Sequence, residues 1–132
     1  MIDFFRRNKL LIWFSGIIAL VVFCTWQNNS IGISNFEYHN SKIPADFNNY
    51  RIVQISDLHN KMFGEDQSTL LKHIEELSPD IIIVTGDLID RRKFNLDTAM
   101  TFVQGAVKIA PTYYVSGNHE AWSGQYSNIN SS

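Results

Sequence analysis

The chain has 132 residues, of which 45% are hydrophobic and 18% charged, so it can hold about one ordinary domain and a short additional segment. Its net charge is −2, and after residue 9 it carries eight basic and twelve acidic side chains. A nucleic-acid-binding module usually has a basic face, so this balance argues against that class. A single cysteine, Cys24, excludes an internal disulfide.

An uncharged apolar run from Leu10 to Trp26 predicts a transmembrane helix. A helix of this length reaches about 26 Å, near the minimum for a membrane span. Tryptophans near both ends favour the two membrane interfaces. Arg6 and Arg7 precede the run, so the positive-inside rule predicts a cytoplasmic flank at residues 1–9 and an extracytoplasmic location from residue 27 onward.

The alternatives to an uncleaved signal anchor at residues 10–26 are a buried core helix, a cleaved signal peptide and a twin-arginine export signal. The run lacks the polar stripe of a core helix. Thr25-Trp26-Gln27 is a poor cleavage site, and Phe5 and Lys9 depart from the twin-arginine pattern. We therefore expect a single-pass membrane protein.

Residues 27–124 predict one folded domain, followed by a polar tail at residues 125–132. Gln27–Ser30 is an expected linker. Apolar and polar residues alternate over Ile31–Tyr38, which predicts an edge strand or hairpin arm. Pro44–Asn49 predicts a turn.

The next residues predict the order β-α-β-α-β. The strands are expected at residues 51–56, 81–84 and 112–115, and the second is apolar on both faces, as in the centre of a helix-covered parallel sheet. A helix is expected at residues 67–77, capped by Asp66 or Ser68. This order implies right-handed crossovers and a parallel sheet. One face of the second helix is predicted to contain Leu96, Ala99, Met100, Val103 and Val107.

Acidic and histidine-containing motifs follow all three predicted strands, at residues 57–59, 86–90 and 117–120. Open α/β sheets bind ligands beyond the carboxyl ends of their parallel strands, so these motifs are expected to converge. Each motif alone is weak evidence for a metal site, but three of them after three successive strands are improbable by coincidence. Their mixture of nitrogen and oxygen ligands favours Mn, Fe or Zn over Ca or Mg. A carboxylate can bridge two such ions and support displacement at phosphorus.

In this order the motifs resemble D-x-H, G-D-x-x-D or N, and G-N-H-D or E of the calcineurin-like metallophosphoesterase superfamily. The phrase at residues 55–59, with the N-terminal anchor, is most similar to the membrane-associated bacterial branch. The resemblance covers roughly residues 31–124. It implies the N-terminal half of a four-layer α/β/β/α sandwich, preceded by one transmembrane helix.

The resemblance also implies roles for individual residues at a site with two divalent metal ions. Asp57 and His59 would hold the first ion, Asp87 would bridge both, and Asn118 would bind the second. His119 would be catalytic, contacting the scissile phosphate and protonating the leaving oxygen. Asp90 and Glu120 would orient His119 or neighbouring ligands.

The implied reaction is hydrolysis of a phosphomonoester, phosphodiester or pyrophosphate bond by a hydroxide activated at the metal pair. The anchor favours a phosphate on a lipid or cell-envelope precursor as substrate. The superfamily pattern continues with a lone histidine and G-H-x-H, whereas no histidine follows His119 here. We therefore expect residues 27–124 to hold about half of the usual catalytic domain. The alternative is a catalytically inactive, membrane-anchored remnant or interaction module.

Overall fold

A computed structural model describes residues 8–129 of the chain. The chain divides into two compact units, with the boundary between Glu37 and Tyr38. Most of the expected cytoplasmic flank, residues 1–7, and the last three residues of the expected polar tail lie outside the described residues.

The first unit contains one long helix, α1 (Lys9–Asn29). Its 21 residues correspond to about 32 Å, enough for the hydrocarbon core of a bilayer. By length and composition α1 could cross a membrane, and none of its side chains is buried. The expected linker at Gln27–Ser30 is wrong for its first three residues, because the helix continues to Asn29, whose side-chain amide donates to the Thr25 carbonyl.

The edge strand predicted at Ile31–Tyr38 is also wrong. These residues form no strand, although the apolar alternation is present. A strand requires a neighbouring chain to pair its backbone groups. Within the described residues, the only sheet consists of three later strands, and none of them pairs with residues 31–38.

The second unit is built on a parallel sheet of β1 (Ile52–Ile55), β2 (Ile81–Val84) and β3 (Thr112–Tyr114). The strand order is β1-β2-β3, so β2 is central, as its apolar sequence predicts. Both pairings are parallel, with Val53 opposite Ile82 and Ile82 opposite Thr112. The predicted α/β class with a parallel sheet is confirmed.

Two helices connect the strands, α2 (Ser68–Glu76) and α3 (Leu96–Ile109). Helix α2 buries Leu70 and Ile74. Its predicted cap is wrong, because Gln67 occupies the N-cap position and makes no side-chain capping bond. Short segments complete the unit, namely 3₁₀ turns at Ala45–Phe47 and Glu65–Gln67, α4 (Asn118–Trp122) and α5 (Tyr126–Ile129), the last within the expected polar tail.

The buried face of α3 differs from the prediction by about one residue position. Phe102 and Ala106 are fully buried, as is most of Ala99, whereas Val107 is 55% exposed. Asn95 caps this helix through its side-chain oxygen, which accepts from the Thr98 amide. The buried face thus centres on Phe102 rather than on Val103 and Val107.

The two faces of the sheet have different surroundings. Side chains alternate along a strand, and those of Ile82 and Val84 on one face are 0% exposed. On the opposite face Ile52 is 56% and Tyr113 61% exposed. Within residues 38–129 this apolar face is uncovered, as expected if another layer of the predicted sandwich packs there.

Candidate metal centre

Three loops follow the carboxyl ends of the strands and are hydrogen-bonded to one another. The Asp57 amide donates to the Gly86 carbonyl at 3.2 Å, and the His59 amide donates to the Asp87 carbonyl at 2.9 Å. The Val115 amide donates to Val84 at 2.9 Å, which aligns the third loop. The convergence predicted from strand order is therefore present in the backbone.

Two glycines allow the second and third loops to approach closely. A β-carbon on Gly86 would lie 2.4 Å from the Gly117 nitrogen, and one on Gly117 would lie 2.3 Å from Asp87 Oδ1. Gly86 also has φ of +91°, a conformation that favours glycine. The Asp87 carboxylate thus lies against a surface that only glycine at residue 117 provides.

We predict that Gly117→Ala displaces the Asp87 carboxylate. The free energy of unfolding should fall by roughly 1–3 kcal/mol, as in other overpacked sites, and Mn²⁺ affinity should fall with it. Urea unfolding in detergent micelles and calorimetry measure the two effects. Gly32→Ala is the matched control, because a β-carbon added there would have no atom within 4 Å. Equal behaviour of the two variants would contradict the prediction.

Several motif residues have left-handed backbone conformations. The φ angles of Asp57, His59 and Asp87 are +56°, +47° and +54°. Residues other than glycine adopt this region at a cost, and Asp, Asn and His tolerate it best. Such conformations concentrate at functional sites, where surrounding contacts maintain them.

The side chains of His59, Asp87 and His119 form a three-residue cluster. Each offers one ligand atom, and these atoms lie within 4.8 Å of one another. The two imidazole centroids are 4.3 Å apart. Asp57 Oδ1 lies 3.5 Å from His59 Nε2, which puts a fourth predicted residue beside the cluster. Asn118 is the first residue of α4, which directly follows the third loop.

The cluster fits a divalent cation. It combines a carboxylate with imidazole nitrogens, the ligand mixture of Mn, Fe and Zn sites. In addition, His59 Nδ1 and Asn60 Oδ1 are buried and have no hydrogen-bond partner within the described residues. Buried polar atoms are normally satisfied, so an orphaned pair beside the cluster is consistent with a bound ion or water.

The side chains of His119 and Asp90 lie close together. Asp90 Oδ1 lies 3.7 Å from His119 Nδ1, and the Arg91 amide donates to the same nitrogen at 3.3 Å. The Arg92 amide donates to Asp90 and, against the opposing effect of burial, lowers the pKa of that carboxyl. Asp90 is therefore an anion beside His119, and it can accept from Nδ1 only when the ring is protonated, because the unprotonated Nδ1 accepts from the Arg91 amide.

The Glu120 side chain joins the second and third loops, which follow β2 and β3. Its side chain is 0% exposed and accepts hydrogen bonds from the amides of Asp87 at 2.8 Å, Ile89 at 3.1 Å and Gly117 at 2.8 Å. Burial raises the pKa of the Glu120 carboxyl, but these amide bonds outweigh it and the pKa is lowered. The carboxylate thus holds the backbone of Asp87, whereas the sequence alone left open which neighbour it orients.

We predict that Glu120→Gln destabilises the fold by roughly 1–3 kcal/mol at pH 7, because a buried amide group cannot accept all three bonds. A lowered pKa contributes stability above the unfolded pKa, and this is lost as pH falls through the folded value. The difference in the free energy of unfolding between wild type and Glu120→Gln should therefore become smaller below about pH 4.5. Urea unfolding at several pH values tests this, with exposed Glu75→Gln as control. A difference independent of pH would contradict it.

Sequence reasoning missed three residues that hold the first two loops or contact α4. Fully buried Gln67 donates to the Lys61 carbonyl and accepts from the Phe63 amide. Asn60 donates to the Lys93 carbonyl and joins the first two loops. Arg91 lies over the ring of Trp122, 5.1 Å from its centroid. Asn60 could have been identified, because it is a polar residue directly after the D-x-H motif. Gln67 could not, because periodicity does not indicate that a glutamine outside a regular helix or strand is buried.

Comparisons with known proteins find metallophosphoesterases among the relatives of this chain. The bovine transmembrane protein with metallophosphoesterase domain is 30% identical over 89 residues, or 66% of this chain and 20% of its own length. An uncharacterized metallophosphoesterase of Campylobacter jejuni is 28% identical over 118 residues, or 86% of this chain and 32% of its own. A UDP-2,3-diacylglucosamine pyrophosphatase of Chlamydia trachomatis is 34% identical over 83 residues, or 58% of this chain and 25% of its own length.

The chain thus spans about a fifth to a third of the length of these curated relatives. No solved structure matches it significantly. The family profile described as calcineurin-like phosphoesterase matches residues 50–132, which include all three motifs and the whole parallel sheet. The chain belongs to the calcineurin-like phosphoesterase family.

Proposed function

We propose that this chain is the N-terminal, membrane-anchored part of a phosphoesterase that hydrolyses a phosphate ester or pyrophosphate bond at two divalent ions. The observation that supports it most is the cluster of His59, Asp87 and His119 at the carboxyl ends of parallel strands. This edge is where α/β sheets bind ligands. The proposed metal residues remain Asp57, His59, Asp87 and Asn118.

In this proposal each side chain has a separate task. The bound ions would lower the pKa of a water molecule and polarise the phosphorus–oxygen bonds. Asp87 would lie between the ions, held in place through its amide by Glu120. His119 would donate a proton to the leaving oxygen, and the Asp90 carboxylate would stabilise the imidazolium.

The proposed substrate is a lipid-linked or cell-envelope phosphate. Two features support it, the apolar helix α1 and the similarity to proteins named UDP-2,3-diacylglucosamine pyrophosphatase in two Chlamydia species. A site tethered to a bilayer meets lipid substrates at a raised local concentration. Membrane and phosphate ester are thus the two proposed partners.

We predict an orientation with the N-terminus in the cytoplasm. Arg6, Arg7 and Lys9 flank the N-terminal side of α1, and the positive-inside rule retains such charges in the cytoplasm. A phosphatase reporter fused after Ser132 should then be active only outside the cytoplasm, with a fluorescent reporter as the inverse control. Cytoplasmic activity, or a mature N-terminus after Trp26, would contradict the uncleaved anchor.

Turnover separates an enzyme from an inactive remnant. The chain alone should cleave bis(p-nitrophenyl) phosphate slowly with Mn²⁺, because the histidines that follow in the superfamily pattern are not in this sequence. A displacement of about 1 Å at a catalytic site can cost roughly a hundredfold in rate. Extension with the C-terminal half of a related catalytic domain should restore Mn²⁺-dependent cleavage. Failure of the extended chain to turn over would favour the remnant or interaction module.

A further inference from the structure

Arg91, in the loop after β2, contacts helix α4 in two ways. Its backbone amide donates to His119 Nδ1 at 3.3 Å, and its guanidinium carbon lies 5.1 Å from the centroid of the Trp122 ring. His119 and Trp122 are three positions apart on α4, so they lie on the same side of the helix. The backbone and the side chain of one loop residue therefore contact one face of α4.

Helix α4 depends on such contacts for its orientation. It has five residues, too few for a helix to be stable through its own hydrogen bonds. The Glu120 side chain anchors it on the buried side, through the amides of Asp87 and Ile89. Trp122 is 64% exposed, and its contact with Arg91 is on the side that carries His119. The two anchors thus act on different sides of α4.

The loop that carries Arg91 is a tight turn at residues 90–93. The Lys93 amide donates to the Asp90 carbonyl at 3.0 Å, and the Arg92 amide donates to Asp90 Oδ1 at 2.9 Å. These bonds lie within the turn, so they shape it without attaching it to α4. Asp90 Oδ1 also lies 3.7 Å from His119 Nδ1. A shift of the turn relative to α4 would therefore displace both neighbours of this nitrogen together.

We propose that Trp122 is a positioning residue for His119 and acts through its contact with the Arg91 guanidinium. This contact holds the turn against α4, so that the Arg91 amide stays on Nδ1. A neutral imidazole has one donor and one acceptor nitrogen, so the bond places the ring proton on Nε2. The inference rests on the proposed function for the catalytic importance of His119, but the position of this proton is measurable without metal or substrate.

Nuclear magnetic resonance on the full chain in detergent micelles tests the proposal. EDTA removes metal, and at about pH 9 histidine side chains are neutral. Long-range proton–nitrogen spectra give the ratio of the two neutral forms, and a spectrum of His119→Ala assigns the signals. Wild type should be mainly protonated on Nε2. Trp122→Ala should raise the proportion protonated on Nδ1, relative to Nε2, by about two- to fivefold, as expected for loss of an exposed cation–π contact.

Three further variants identify the contact responsible. Trp122→Phe retains an aromatic face and should restore most of the wild-type ratio. Arg91→Gln keeps the backbone amide but removes the guanidinium, so it should match Trp122→Ala, and the double variant should add nothing further. Arg92→Gln is the matched control, because it removes the same charge from the next residue of the turn, and it should keep the wild-type ratio.

A wild-type ratio in both Trp122→Ala and Arg91→Gln would overturn the proposal. Additive effects in the double variant, an equal change in Arg92→Gln, or a wild-type ring protonated mainly on Nδ1 would also overturn it. If Trp122→Ala does not fold, Arg91→Gln alone decides, because it changes only an exposed side chain. Mn²⁺ calorimetry is separate: absent Mn²⁺ binding together with these changes in the ring would refute the proposed function and leave the positioning role of Trp122 intact.

Discussion

Asp87→Asn should lower the affinity of the chain for Mn²⁺ by at least about a hundredfold. Removal of groups that only support a ligand already costs roughly 10- to 100-fold, so loss of a charged ligand should cost no less. Asparagine retains an oxygen that can accept the His119 amide, which donates to Asp87 Oδ1 at 2.8 Å. It therefore removes the charge and preserves the loop. Asp87→Ala should be at least as damaging, because it also leaves that amide without its acceptor.

The matched control is Asp97→Asn, which removes the same charge from an exposed residue in the first turn of α3. Circular dichroism should show that both variants are folded, and calorimetry should separate them. Mn²⁺ affinity of Asp87→Asn within about threefold of wild type would exclude Asp87 as the bridging ligand.

The order of elements and the convergence of the motifs were predictable from the sequence. The run at residues 81–84 has no polar residue, so it could only be a strand or helix interior, and Pro79 and Gly86 limit its length. Polar motifs directly after three such strands must meet at one sheet edge. His59, Asp87 and His119 accordingly form a cluster.

Other features could not be predicted because they depend on contacts between distant residues. Residues 31–38 alternate like a strand, but alternation does not supply a partner. The rotation of α3 depends on how Phe102 fits the core. The partners of Glu120 are backbone amides, which no side-chain pattern reveals. The partners of the fully buried Gln67 are likewise backbone groups, of Lys61 and Phe63, so its burial was not predictable from the sequence.

His119→Ala should lower turnover by roughly 10²- to 10⁴-fold, the range for loss of a general acid, while Mn²⁺ affinity changes less than about threefold. The position of His119 allows another outcome, in which Mn²⁺ affinity also falls. His119 offers a ligand atom within 4.8 Å of those of His59 and Asp87, so it could instead be a metal ligand. The Arg91 amide donates to Nδ1, so this nitrogen holds the ring and Nε2 is left for the leaving oxygen, which favours the catalytic role. The Asp90 contact requires a proton on Nδ1 and so replaces the Arg91 bond only when the ring is protonated.

Two measurements on one variant distinguish these roles. Turnover is measured on the extended chain with an activated phosphodiester, and Mn²⁺ affinity on both the extended and the 132-residue chain. His73→Ala is the control, since His73 lies half-buried on α2 with its Nδ1 3.5 Å from Glu76, and should change neither value. If His119→Ala loses as much affinity as Asp87→Asn, His119 is a metal ligand and the proton must come from another group. If affinity is kept and turnover falls, the imidazole acts on the leaving oxygen.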